Sequence, residues 1–430
     1  MLDVRIQGLG REAAHHGERR AHLLEMRHAV RTLDQVLVED CTVIFMASDT
    51  RSEAYQIFQV LNDRGVQLTD GDLLRARTME LLDAKPLAST QETLANTWDE
   101  VLAYPPSDTD SYLRWYFSSL EGRRPSSSGL ADQFLECRFK AKDGQPVNKT
   151  GANAILKEAK QLSAEFALLS TMGEGEWPLD DNAKVLKWDR ERLRMLVVHL
   201  KHTNAMPLLL ALRLLGPEKF AAAVSSIERF VFRYKTIGNA HISPMTELYL
   251  RHSKKIRDAA DTYRTSSLRS ELTELLDKMV PVEVFEANLR QIKYNPRGGN
   301  GHIRYLLITL EDYLAWYEQG ANGAPKCKDK TRLFDFSNTT LEHVYPRSAK
   351  GSGKVASMES VKDMLGNLTI FGPGDNESLG NKLFPDKRSA LKASSIRLNR
   401  AVGDKATWAK KDVKQRTEEL VTMALKVFVP

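Results

Sequence analysis

Four residues near the C-terminal end of this 430-residue chain have the types and spacing that phosphodiester hydrolysis requires. Glu342 and His343 are adjacent, and asparagines follow at positions 367 and 376. Neutral imidazole is a natural general base near pH 7, and carboxylate and amide oxygens suit a hard cation such as Mg²⁺ or Mn²⁺. Of the two amides, one can orient the imidazole and the other can complete a metal site. The combination predicts a metal-assisted hydrolytic centre.

Each residue taken alone also has a structural explanation. A single histidine at a strand end is usually a structural or surface residue, and asparagines close to glycines usually form turns. A histidine pair at His199 and His202 has helical spacing, but no acidic third ligand accompanies it. The catalytic hypothesis therefore depends on the whole set of four residues.

Positive charge is concentrated in the same part of the chain. Residues 328–430 contain 19 Lys and Arg against 12 Asp and Glu, whereas the preceding residues contain 43 against 44. This asymmetry suits a polyanion-binding surface, although a solvated basic surface gives the same count. The candidates for contacts to DNA phosphates are Arg347, Lys382, Lys387 and Arg388.

Two short strands and a helix are predicted to position these residues. Residues 339–345 favour a strand that Pro346 ends, and residues 368–371 favour a second one, with a flexible loop at 348–354 between them. A helix is expected to begin near Asn376. Because neighbouring side chains on a strand point to opposite faces, Glu342 and His343 can serve one site only if the backbone turns beside them.

At this point the sequence resembles a known family. Glu342-His343-Val-Tyr-Pro346 resembles the (D/E)-H-x-x-P signature of HNH, or ββα-metal, nucleases, and Asn367 and Asn376 match the spacing of the next two elements. The segment from Leu365 through Asn381, Phe384 and Lys387 is similar to the C-terminal domain of GmrSD-type, modification-dependent restriction endonucleases. The resemblance implies that His343 is the general base, Asn367 orients it, and Glu342 and Asn376 bind the metal. Asn381 is the alternative ligand if the helix begins later.

A second similarity lies upstream. Residues 57–73 resemble the F-x-x-L-N-x-R-G-x-x-L-(S/T)-x-x-D-L motif of the family's ParB-like sensor domain, which makes Asn62, Arg64 and Gly65 candidates for a sensor role. The family's D-G-Q-Q-R motif, associated with nucleotide handling, does not occur in this sequence. We therefore expect no nucleotide cofactor, and a sensor domain that is truncated or completed by a separate subunit.

Three regions follow from these patterns: a truncated α/β sensor remnant at 1–90, a helical middle domain at 91–325 and an HNH nuclease domain at 326–430. The predicted fold is mainly α, with a small N-terminal α/β part and a C-terminal ββα-metal domain. Within the remnant, residues 41–47 favour a buried strand. The helices are predicted from three- and four-residue apolar spacing, over 94–104, 112–120, 153–169, 191–215, 217–234, 266–279 and 302–319.

The predicted function is a metal-dependent DNA endonuclease in a restriction system against foreign, modified DNA. The alternatives are a decayed DNA-binding or regulatory subunit of such a system, and a nuclease toxin that acts on RNA or on the host chromosome. No apolar run approaches the roughly 18 residues of a membrane span, so no membrane partner is expected. Three widely spaced cysteines, Cys41, Cys137 and Cys327, favour a reducing compartment, the cytoplasm.

Overall fold

The computed structural model describes residues 26–40, 69–126, 129–139, 147–372 and 380–430. The chain divides into two compact units, residues 1–67 and 68–430. In the first unit, residues 26–35 are helical and continue into a π-helical turn at Val36–Asp40. The strand predicted at 41–47 lies outside the described residues.

The larger unit is mainly helical, as predicted. Helix α1 shows how a local signal sets an element's start: Thr69 caps it, and the Asp72 side chain accepts from the Thr69 backbone amide at 3.1 Å, which completes a capping box. Its described α-helices are Asp70–Leu81 (α1), Ala88–Leu102 (α2), Pro106–Glu121 (α3), Leu130–Phe134 (α4), Lys149–Gly173 (α5), Lys187–Arg194 (α6), Met206–Leu212 (α7), Pro217–Val231 (α8), Ile242–Asp258 (α9), Thr265–Met279 (α10), Val282–Arg290 (α11), Gly301–Glu318 (α12), Ala356–Glu359 (α13), Phe384–Ala393 (α14), Arg397–Gly403 (α15) and Lys410–Val427 (α16).

One predicted helix, over 191–215, is divided in the structure, and that expectation is corrected. Helix α6 continues through a π-helical turn to His199 and then stops, because Lys201 adopts a positive φ of 53°. Pro207 lies in the first turn of α7, where its missing amide hydrogen costs nothing. The apolar spacing continues across this break, so periodicity alone did not reveal it.

The described strands form one antiparallel pair. Strand β1, Thr340–His343, pairs with β2, Leu368–Phe371, so that Glu342 faces Thr369 and His343 faces Leu368. All four residues of β2 are buried. Both strands lie within the segments predicted from sequence; the connection between them contains α13, and α14 is the first described helix after β2.

Two large apolar clusters organise the unit. One joins α1 to the first part of α5, from Leu74 to Phe166. The other runs from Leu169 to Phe428 and includes Leu368 and Ile370 of β2. Helices on both sides of residue 325 therefore share a core with the strand pair. The boundary predicted at 325/326 stays a prediction.

Among the described residues, no single helix is both long and apolar enough to cross a membrane. One bent pair, Lys187–His199 with Thr203–Leu215, meets that criterion only when its two parts are joined.

Candidate active site

His343 is the last residue of β1, and its ring is held from two sides. Its Nε2 lies 3.2 Å from the Asp363 carboxylate. The Tyr294 ring meets it edge-on, with the ring centroids 4.7 Å apart and the planes at 77°. A carboxylate has no proton to give, so Nε2–H donates to Asp363 and Nδ1 keeps its lone pair.

Burial is the main influence on the pKa of His343 and lowers it below the ordinary value of 6.5. The hydrogen bond and charge of Asp363 raise this pKa, while the charges of Lys387 and Arg347 lower it. The net direction is downward. The imidazole is therefore neutral at pH 7, the form that a general base requires.

Asp363 is the site residue that sequence reasoning missed. Its Oδ1 also lies 3.5 Å from Arg347 Nε. Its backbone carbonyl accepts from Tyr294 N at 2.8 Å, beside a β-bridge between Lys293 and Met364. Residues 344–367 contain only two acids, Glu359 and Asp363, so a search for an acid to pair with the histidine would have reduced the choice to two.

The Asn367 side chain hydrogen-bonds elsewhere than to the imidazole, whose ring nitrogen pairs with Asp363, and this corrects the orienting role expected for Asn367. The residue is fully buried. Its Oδ1 accepts from Tyr345 N at 2.9 Å and from Trp408 Nε1 at 3.0 Å. Its Nδ2 donates to the carbonyls of Tyr345 at 3.0 Å and Lys362 at 2.7 Å. The amide is fully used in fixing the chain just after β1, a structural task that supports the site from behind.

Lys387 is buried, which corrects its expected role in contacting DNA phosphate. Its ammonium donates to the backbone carbonyl of His343 at 2.7 Å, and only 3% of the residue is exposed. Burial lowers the pKa of Lys387, and the charge of Glu342 opposes that change. Helix α14 thus places one cation against the end of β1, close to both members of the Glu342-His343 pair.

Of the remaining predicted site residues, some lie beside His343 and others do not. Arg347 is beside the histidine: its side chain is 41% exposed and its guanidinium lies 5.8 Å from the centre of the Tyr294 ring. Arg388 Nε donates to the Gly403 carbonyl at 3.1 Å, which joins α14 to α15. Asn381 and Lys382 are exposed just before α14. Asn376, and with it the helix start predicted there, lies outside the described residues.

The structure therefore brings Asp363, Arg347 and Lys387 to His343, and the charge of the preceding residue, Glu342, acts on Lys387. Residues 279–423 match the family model for the C-terminal domain of GmrSD restriction endonucleases. A GmrSD C-terminal domain is thus present in this chain. No curated protein matches the chain.

The match to the GmrSD C-terminal domain contains both strands, the His343–Asp363 pair and Lys387. It begins at residue 279, so it also contains α11 and the Tyr294 segment. These belong to what the sequence had suggested was the middle domain. The wall that Tyr294 forms against His343 is therefore part of the matched domain.

The predicted metal ligands offer carboxylate and amide oxygens, which are the donor atoms that a hard cation prefers. The described part of the chain contains no cluster of three His, Cys, Asp or Glu side chains that could hold a metal. Glu342, the residue before His343, supplies one carboxylate, and its charge acts on Lys387. This fits Mg²⁺, which keeps several of its waters and usually takes one or two protein carboxylates.

The upstream motif residues Asn62, Arg64 and Gly65 lie outside the described residues. His199 and His202 contact different residues. The His199 ring stacks on Phe336 with centroids 4.1 Å apart, whereas His202 is buried against Tyr249. The pair forms no site.

Proposed function

We propose that this chain is a divalent-metal-dependent, HNH-type DNA endonuclease of a restriction system directed at foreign, modified DNA. The observation that carries the proposal is the His343–Asp363 pair beside Glu342, at the end of a strand within a GmrSD C-terminal domain. We place its action in the cytoplasm, where isolated cysteines stay reduced.

In the proposed reaction, His343 Nδ1 takes a proton from a water molecule. The water oxygen forms a bond to phosphorus, the bond to the leaving oxygen breaks, and that oxygen is protonated from solvent. Asp363 accepts from Nε2–H, fixes the tautomer and stabilises the imidazolium that forms. Lys387 holds the backbone carbonyl of His343, and Asn367 holds the backbone of Tyr345, two residues further on.

The proposed cation is Mg²⁺ or Mn²⁺, bound by Glu342 with Asn376 or Asn381. When bound, it supplies stabilisation of the negative charge that develops on the phosphate and leaving oxygens. The support is the oxygen-donor chemistry of these side chains and their position around His343 in the sequence motif.

Nicking of supercoiled plasmid with Mg²⁺ or Mn²⁺ tests the proposal. We expect His343→Ala to reduce the rate by roughly 10²- to 10⁴-fold, the contribution of a general base. The matched control is His28→Ala, because His28 is exposed on the helix of the first unit. Cutting by His343→Ala at the wild-type rate would refute the assignment. Metal-dependent cleavage of RNA but not of DNA would refute the substrate.

A further inference from the structure

Two stretches of chain without acidic residues meet at the candidate active site. Residues 287–310 and residues 343–358 contain no Asp or Glu. The first contributes Tyr294, which contacts His343, and the second begins at His343 itself. Arg347 of the second stretch lies over the Tyr294 ring of the first. The two stretches therefore meet at Tyr294 and contribute no carboxylate of their own to this junction, where Asp363 pairs with His343 and Arg347.

The cations on either side of Tyr294 are available to a ligand. Lys293 and Arg297 are exposed, and neither makes an ion pair with a described residue. Arg290, three residues before Lys293, is different: it pairs with Glu286 at 2.6 Å and with Glu418 at 2.8 Å. The unpaired cations thus begin where the chain reaches the site.

Arg297 lies on a loop that its own hydrogen bonds hold closed. Asn295 N donates to Asn300 Oδ1 at 2.7 Å, and Asn300 Nδ2 donates back to the Asn295 carbonyl at 2.8 Å. Arg297 N donates to Asn295 Oδ1 at 3.0 Å. Gly298 and Gly299 follow with φ of 105° and 78°, a conformation that favours glycine. Because the loop is already ordered, little conformational entropy is lost when Arg297 binds a ligand.

Distances along the chain place these cations close to His343. Arg297 is three residues from Tyr294, so their Cα atoms are at most roughly 11 Å apart. Duplex DNA carries one negative charge per roughly 1.7 Å of its axis. Lys293 and Arg297 therefore lie within the length of a few nucleotides of His343.

We propose that Lys293 and Arg297, together with Arg347, form a phosphate-binding strip that holds the backbone of duplex DNA next to the scissile phosphate. This inference rests on the proposed nuclease function. It assigns to the Lys293–Asn300 segment a role in substrate binding, while the chemistry stays with His343 and its partners.

Fluorescence anisotropy with a short labelled DNA duplex, over a salt series in EDTA, tests the strip. We compare wild type with the double variant Lys293→Ala/Arg297→Ala. The control is Lys157→Ala/Lys160→Ala, which removes the same charge from two exposed lysines of α5. The buried face of this part of α5 belongs to the other apolar cluster. Each phosphate contact contributes roughly 0.9 to the slope of log K against log salt, so the strip variant should lose about two units of slope and bind roughly tenfold more weakly. Plasmid nicking at saturating DNA should keep its rate.

The outcomes separate the two proposals. A strip variant with the wild-type salt slope, in a protein that cuts DNA, overturns the strip and leaves the nuclease proposal intact. A wild-type protein that neither binds nor cuts DNA overturns both. Equal losses in the strip and control variants overturn the strip, since they would reflect net charge alone. Restored binding in Lys293→Arg/Arg297→Lys would support it, because backbone phosphates accept either cation.

Discussion

At His343 the ring's chemistry is set by one acid and two cations. Asp363 raises the pKa of the imidazole, whereas Lys387 and Arg347 add to the lowering that burial produces. The acid contacts the ring directly, and Lys387 contacts the backbone carbonyl of the same residue. Protonation and orientation of one side chain therefore depend on residues 20 and 44 positions away.

Asp363→Asn tests the pairing through the pH dependence of cleavage. The substitution removes the influence that raises the pKa of His343 and leaves those that lower it, so this pKa falls further. Because the base acts in its neutral form, the acidic limb of kcat/KM against pH should move to lower pH. The plateau should fall roughly 10- to 100-fold, since the ring loses the contact that fixes its tautomer.

The control for this profile is Asp404→Asn, an exposed acid beyond α15 whose carboxylate lies 3.9 Å from Lys392 Nζ. It should leave both the limb and the plateau unchanged. A limb that stays in place in Asp363→Asn, with an unchanged plateau, would show that Asp363 has no influence on the base.

At the scale of elements, the strand pair depends on the turn that precedes β2. Gly366 has no room for a side chain, because a Cβ there would lie 2.0 Å from the Val413 carbonyl oxygen and 2.5 Å from Thr417 Oγ1. Arg416 Nη1 donates to the carbonyls of Gly366 at 2.8 Å and Leu368 at 2.6 Å. Helix α16 therefore packs directly on the backbone of this turn.

Gly366→Ala should accordingly destabilise the protein by roughly 3 kcal/mol or more, because the clash is with backbone atoms that cannot move aside cheaply. Urea unfolding measures the change. Gly372→Ala is the matched control, since a Cβ at Gly372 meets no atom of a described residue within 4 Å. A Gly366→Ala protein as stable as the control would mean that α16 does not contact the turn as described.

The strands could be predicted from sequence because their signals are local: a β-rich run before Pro346, and an apolar run over 368–371. The roles of Asn367 and Lys387 could not be predicted from sequence in the same way. Asn367 was found through a motif, but its four hydrogen bonds join it to parts of the chain as distant as Trp408. The burial of Lys387 likewise depends on where α14 packs, which no spacing within the helix specifies.

At the scale of the whole larger unit, a buried charge cluster ties the two apolar cores together. Helix α5 contributes residues to both cores, and its Glu165 is 1% exposed. Arg257 of α9 donates to both oxygens of this carboxylate, at 3.0 and 3.2 Å, and Arg213 also bonds to it. One carboxylate thus balances two guanidinium groups at the junction of the cores.

Glu165→Gln keeps the side-chain shape and removes the charge, so two cations at this junction lose their counter-ion. Breaking a buried pair from one side costs about 3 kcal/mol or more. We expect a lower urea midpoint, and unfolding in two steps because the cores are no longer coupled. Glu174→Gln, an exposed acid at the end of the same helix, should unfold like wild type. A single transition at the wild-type midpoint in Glu165→Gln would show that apolar contacts alone join the cores. In that case Glu165 could be replaced without any effect on the platform that carries the His343 site.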